Sequence, residues 1–209
     1  VATPSQNITA APEAEATPSG MERLVFFSDA VFAIAITLLA LEIRLPDLEE
    51  PVTNEALLHA LQSLGSSYLG YVLSFLVIGG FWIGHHRRFR YIVRYDKRLL
   101  YLNLVFLMLV AFMPFPSSVI SKYNNQVGTL FYAAFISVQS LMTTFIWWYA
   151  SSNYRLISPT LEARFIRREI VIGLSIAAVF LLSIVVALFD DNLARLSWMF
   201  LIPVSVVIR

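Results

Sequence analysis

Long apolar runs joined by short, charge-rich connections leave this chain few choices of fold. A helix rises 1.5 Å per residue and the hydrocarbon core of a bilayer is about 30 Å thick, so roughly 20 apolar residues make one crossing. Stretches over 24–44, 67–86, 99–121, 127–149 and 169–189 meet that length, and a slightly shorter run over 193–209 makes a sixth. Pro46, Pro51 and Pro159 fall between the runs, where helix breakers belong. A short surface helix is expected from Asn54 to Ser63. Charged residues are only 14% of the chain, against about 25% in soluble domains. The expected fold class is all-α, a six-helix transmembrane bundle over residues 21–209.

Residues 1–20 are rich in Ala, Pro, Thr and Ser, contain no hydrophobic run and read as a disordered tail. They lack the basic start and apolar core of a signal peptide, so the first membrane helix is expected to act as the targeting signal. Asn7-Ile8-Thr9 fits a glycosylation sequon and reads as a chance match. The chain has no cysteine, which excludes disulfides and thiolate metal sites. His85 and His86 are adjacent and cannot make an i, i+4 metal pair, and no cofactor is expected. Nothing resembles the basic surface of a nucleic-acid binder.

The basic residues are sorted along the chain. Arg87, Arg88, Arg90, Arg94, Lys97 and Arg98 lie between spans two and three, and Arg155, Arg164, Arg167 and Arg168 between four and five. With Arg23 and Arg209, 12 of the 15 basic residues fall on one side. The other side has Arg44, Lys122 and Arg195 beside Asp47, Glu49, Glu50, Glu55, Asp190 and Asp191. The positive-inside rule then places both termini in the cytoplasm. Basic loops of this kind can also attract anionic headgroups, but topology signalling accounts for them without a specific ligand.

The first span, Arg23 to Glu42, carries an acid well inside an apolar run, Asp29. A charge in lipid costs roughly 2.5–3.5 kcal/mol on insertion scales, so such residues face protein, a cavity or a partner. At 100° per residue, Arg23, Phe27, Ala30, Ile34, Leu38 and Leu41 lie within about 40° of a common direction, with Thr37 at the edge. Ser28 and Asp29 point away from that stripe. Arg23 and Asp29 are about 120° apart around the axis, so Asp29 is expected to find its partner on a neighbouring helix. Trp82 and His85 share a face near the cytoplasmic end of span two, and Asn103 lies at a similar depth on span three. Indole and imidazole N–H groups both suit a carboxylate. From spacing alone, the aliphatic stripe fits helix packing, lipid contact or a pore wall, and the polar cluster fits a structural role.

The residues themselves are more specific. Arg23-x-x-x-Phe27-Ser28-Asp29 followed by Ala-Val-Phe-Ala-Ile-Ala-Ile-Thr-Leu-Leu resembles the signature first helix of the transmembrane protein 175 family of potassium channels. Trp82-x-x-His85, Asn103 and Met113-Pro114-Phe115-Pro116 are similar to that family as well. The resemblance implies a channel fold with no re-entrant pore loop or Thr-Val-Gly-Tyr-Gly filter. It also implies a single six-helix unit that assembles as a homotetramer in the bacterial inner membrane, with the first helices lining a central pore. Ile34, Leu38 and Leu41 would form the hydrophobic constriction and gate, with Ile34 the narrowest ring, closing by dewetting. Thr37 would be the selectivity candidate. Arg23, Phe27, Ser28 and Asp29 would form a structural network with Trp82, His85 and Asn103, and would not touch the ions.

The implied function is passive potassium conduction, with potassium ions, membrane lipid and further copies of the chain as partners. Proton conduction through the same fold is the nearest alternative. A secondary transporter is a second, although no inverted repeats or interrupted helices are visible. No nucleophile–base spacing supports an enzyme. Glu42 with Asp47, Glu49 and Glu50 could concentrate cations at the outer mouth, or serve only for solvation.

Overall fold

The computed structural model describes residues 20–48, 50–123 and 125–198. Its helices are α1 (Gly20–Ala40), α2 (Asn54–Ser63), α3 (Gly65–Phe89), α4 (Lys97–Phe112), α5 (Pro114–Lys122), α6 (Gln126–Ser151), α7 (Ala163–Ala187) and α8 (Asp191–Ser197). No strand is present among the described residues. Five segments are long and apolar enough to cross a membrane: α1, α3, α4 together with α5, α6 with the 3-10 turn that follows it, and α7. The sixth expected run, 193–209, lies outside the described residues beyond Trp198, as do residues 1–19 with the Asn7 sequon, and Glu49 of the acidic loop.

The third apolar run is two helices set end to end. α4 closes at Phe112, and Pro114 opens α5 at its first position. Proline has no N–H to give to the preceding turn, and its ring clashes with the carbonyl four residues back. At the first helical position that missing donor costs nothing. Hydropathy reads one span there because the break replaces no apolar residue.

Side-chain caps mark four other starts, those of α2, α4, α6 and α8. Asp96 accepts from Leu99 N–H, Asn125 from Gly128 N–H, Asp190 from Asn192 and Leu193, and Thr53 from Ala56. Each satisfies a backbone donor that the first turn leaves without a helical partner.

The core gathers Phe32, Ala35 and Leu39 of α1, Ile78 of α3, Phe106 and Val110 of α4, and Ile136 of α6. α1 packs on α3, α4 and α5, and the α6–α7 contact is the most extensive in the molecule. Lipid tails are as apolar as these side chains, so close packing holds such helices together, and small residues permit it. Gly173 of α7 shows the point: a Cβ there would overlap the Thr144 side chain of α6. Its carbonyl accepts from Ser140 Oγ at 2.8 Å.

The connections that follow α3 and α6 are tied to each other. Ile92 and Ile157 form an antiparallel bridge, with Val93 N–H donating to Leu156 O at 2.9 Å and Ser158 N–H to Tyr91 O at 3.0 Å. The chain reverses into this pairing through Asn153 and Tyr154, whose φ angles of 52° and 53° are left-handed. One end of the bundle therefore collects the start of α1, the end of α3, the start of α4, the end of α6 and the start of α7.

Candidate functional site

α1 presents two faces of opposite character. Ser28, Phe32, Ala35 and Leu39 follow helical spacing and are buried against the bundle. The other face, Arg23, Phe27, Ala30, Ile34, Thr37 and Leu38, with Leu41 in the closing turn, is exposed along its whole length. Ile34, Leu38 and Leu41 are 59%, 40% and 66% exposed. Thr37 Oγ1 donates to Ile34 O at 2.9 Å. That bond uses its hydroxyl proton on the helix and leaves the oxygen as an acceptor on the exposed face.

On the buried face, three helices share a hydrogen-bonded chain. Asn103 Nδ2 of α4 donates to Ser28 Oγ at 3.0 Å, and Ser28 Oγ donates to Leu24 O at 2.8 Å. His85 Nε2 of α3 lies 3.0 Å from Asn103 Oδ1. An amide oxygen only accepts, so His85 donates from Nε2, and its buried Nδ1 has no partner among the described residues. The imidazole stacks on Phe89 at 3.8 Å and lies against Phe32 and Phe106, each at 5.7 Å. Ser28, His85 and Asn103 are all buried.

Asp29 takes a separate route. Its Oδ1 accepts from Trp82 Nε1 at 2.8 Å, at the edge of the protein. The residues expected as one cluster thus form two contacts side by side, one buried and one peripheral. Arg23 and Phe27 are exposed on the stripe, and Arg23 joins neither contact. Pro114 and Pro116 are buried where α5 begins, and Phe115 is exposed.

Sequence reasoning missed a buried ion cluster. Glu169 of α7 has no exposed surface. It meets Arg87 Nε at 2.8 Å and Arg88 Nε at 3.1 Å, and Arg88 Nη1 continues to Thr143 Oγ1 of α6 at 2.8 Å. The available signal was a lone acid directly after Arg167 and Arg168, at the start of an apolar run.

A second missed contact lies close to the loop pairing. Asp96 Oδ2 accepts from Tyr149 Oη at 2.6 Å, and Arg155 sits 4.8 Å over the Tyr149 ring. Burial pushes the Asp96 carboxyl up. The Tyr149 hydroxyl, the Leu99 N–H and the Arg155 and Arg98 charges outweigh that and hold it below its ordinary range. At the opposite end, Glu42 Oε2 pairs with Lys122 Nζ at 3.3 Å. A hydrogen bond from Ser118 holds the Glu42 carboxyl low, reinforced by Lys122 and Arg44 against partial burial. Among the described residues no three His, Asp or Glu side chains are grouped to hold a metal.

This is a multi-pass, all-α membrane protein whose first helix keeps one face for the bundle and leaves the other unpartnered. The family described as "Endosomal/lysosomal potassium channel TMEM175" matches residues 23–114. Potassium channel B446_29190 of Streptomyces collinus is 39% identical over 146 residues, covering 68% of this chain and 69% of that one. Potassium channel Cha6605_3372 of Chamaesiphon minutus is 38% identical over 140 residues, covering 65% and 68%. The zebrafish Endosomal/lysosomal proton channel TMEM175 is 29% identical over 152 residues, covering 72% of this chain and 29% of its own length. The solved structure of a lysosomal potassium-selective channel TMEM175 homolog from Chamaesiphon minutus superposes with a TM-score of 0.78. It is 28% identical and covers 92% of this chain and all of that one. The chain belongs to the TMEM175 family, a family of ion channels and not of enzymes.

Proposed function

We propose that this chain conducts potassium passively through a central pore formed by four copies, with α1 lining the ion path. The observation that carries this reading is the exposed stripe of α1. A helix whose far side is buried in its own bundle still leaves Ile34, Leu38 and Leu41 uncovered. Four such stripes around an axis make an apolar constriction that gates by dewetting, in place of a carbonyl filter. Thr37, the hydroxyl of the stripe, offers an oxygen that can replace part of an ion's hydration shell. Asp29, Trp82, His85 and Asn103 hold α1 against α3 and α4, away from the ions.

In this reading the basic end of the bundle is cytoplasmic, as the positive-inside rule requires, in a bacterial inner membrane. A sixth crossing over 193–209 would return the chain to that side, giving both termini the same location. Glu42, tied to Lys122, stands at the outer end of the stripe.

Purified protein in potassium-loaded vesicles tests the proposal. Potassium efflux balanced by ionophore-mediated proton entry is expected, and it should not require a counter-substrate. Flux that saturates and depends on exchange would overturn it in favour of a transporter.

Proton conduction is the second reading, favoured by the zebrafish relative, which is named a proton channel. His85 is enclosed by Phe32, Phe89 and Phe106 on the buried side of α1. Protons would therefore pass through water along the stripe. Acidification of vesicles without ionophore, persisting in His85→Gln, distinguishes this path.

A further inference from the structure

The basic residues at one end of the bundle divide into two sets. Arg87 and Arg88 turn inward onto Glu169. Arg90, Arg94, Lys97, Arg98, Arg164 and Arg167 are exposed, and none makes an ion pair among the described residues. Topology signalling explains why these residues are basic. It does not explain why two connections far apart in sequence are joined by backbone hydrogen bonds from Val93 to Leu156 and from Ser158 to Tyr91. That pairing puts both outward sets on one surface and fixes their spacing.

The charges are also placed against the local field. Arg164 and Arg167 occupy the first turns of α7, whose cap residue Glu162 makes no side-chain cap bond. A helix N-terminus carries partial positive charge and disfavours cations there. Glu169 compensates the inward arginines, whereas the outward basic residues outnumber the acids on their own segments, Asp96 and Glu162. Asp96, held by the Tyr149 hydroxyl and the Leu99 N–H, offsets part of the Arg98 and Arg155 charge and leaves the rest in excess. Around the same rim, Tyr95, Tyr101 and Trp148 are exposed, and such rings settle at headgroup depth.

We propose that the paired connections form a docking surface for anionic phospholipid headgroups of the adjoining leaflet. The paired backbone presents the guanidinium groups in a fixed array to lipid phosphates. The occupant is the membrane itself, chosen because the excess charge is positive, sits beside an aromatic rim and terminates membrane-spanning helices.

The test uses full-length protein in zwitterionic detergent, where insertion topology plays no part. Melting temperature is followed while phosphatidylglycerol, phosphatidylcholine or inorganic phosphate is added. Phosphatidylglycerol is expected to stabilise and phosphatidylcholine is not, and the preference should weaken with salt. Arg164→Gln with Arg167→Gln, and separately Arg94→Gln with Arg98→Gln, should each reduce apparent phosphatidylglycerol affinity. A loss of roughly fivefold per residue corresponds to the usual strength of a basic side chain at an anionic surface. Arg164→Lys with Arg167→Lys should retain most of it and shows that the fold survives substitution. Equal stabilisation by both lipids, or an undiminished response in both neutralised pairs, overturns the proposal. A response to inorganic phosphate equal to that of the lipid also overturns it, because the surface would then be a simple anion site.

Discussion

Trp82 and Asp29, 53 residues apart, meet through a 2.8 Å bond from indole Nε1–H to carboxylate Oδ1 at the edge of the bundle. One turn along α3, His85 reaches Asn103 in the interior. α1 and α3 are thus joined twice, once directly where water or headgroups can substitute and once through α4 where they cannot. The two contacts should differ in strength accordingly.

Asn103→Ala removes the acceptor of His85 and the donor to Ser28 in a fully buried site. An unsatisfied buried polar group costs about 1–3 kcal/mol. Trp82→Phe removes one bond at a partly exposed site, and about 1 kcal/mol is expected. Melting of the detergent-solubilised protein should rank Asn103→Ala as clearly the more damaging. A reversed order would mean that the peripheral Asp29 contact, and not the buried chain, anchors α1.

Glu169 links α7 to α3 by accepting from both Arg87 and Arg88, and Arg88 continues to Thr143 of α6. Removing one partner of a buried ion cluster leaves an uncompensated charge and costs about 3–5 kcal/mol. Glu169→Gln should therefore yield little folded protein. Arg88→Met combined with Glu169→Leu should recover part of the loss, because shape-matched apolar groups need no counter-charge. If the double variant is no better than Glu169→Gln, the cluster is not held together by charge.

The two faces of α1 were legible because helical periodicity is strong there: Ser28, Phe32, Ala35 and Leu39 point one way and Ile34, Leu38 and Leu41 the other. Asp29 stood out because an acid in an apolar run needs a partner. Spacing offered Trp82 and His85 on span two and Asn103 on span three as partners, but it could not choose among them, since all three carry side-chain N–H donors at similar depth. The break at Pro114 escaped because hydropathy measures apolar length and not continuity of hydrogen bonding. Glu169 escaped because its arginines lie 81 and 82 residues away. Locally, only the lone acid after Arg167 and Arg168 distinguishes the buried ion cluster from a positive-inside signal.

Asp96 gives a pH dependence with a definite sign. Its carboxyl is held below the ordinary 3.8 in the folded protein, because the Tyr149 hydroxyl, the Leu99 N–H and nearby arginines outweigh the opposing effect of burial. A carboxyl depressed on folding contributes stability above its unfolded value and loses that contribution as pH falls through the folded one. Melting temperature should therefore drop as pH falls below about 4. Asp96→Asn should flatten that part of the profile, and Tyr149→Phe should move the drop toward higher pH. An unchanged profile in both would remove Asp96 from the acid sensitivity.

In the proposed pore, Ile34 and Thr37 would separate gate from selectivity on one exposed stripe. Ile34→Ala shortens the side chain proposed as the narrowest ring, which widens an apolar constriction and lets water occupy it more easily. Potassium efflux from loaded vesicles should rise severalfold. Thr37→Ala deletes the hydroxyl oxygen that its bond to Ile34 O leaves free to accept. About 0.35 kcal/mol per oxygen, below the usual net value of a hydrogen bond, sums over four copies to about 1.4 kcal/mol and would reduce potassium preference over sodium about tenfold. Thr37→Val keeps the shape without the oxygen and should match Thr37→Ala; if it behaves like the parent, side-chain volume and not oxygen sets the preference. If Ile34→Ala leaves flux unchanged while Leu38→Ala raises it, the constriction lies one turn further out.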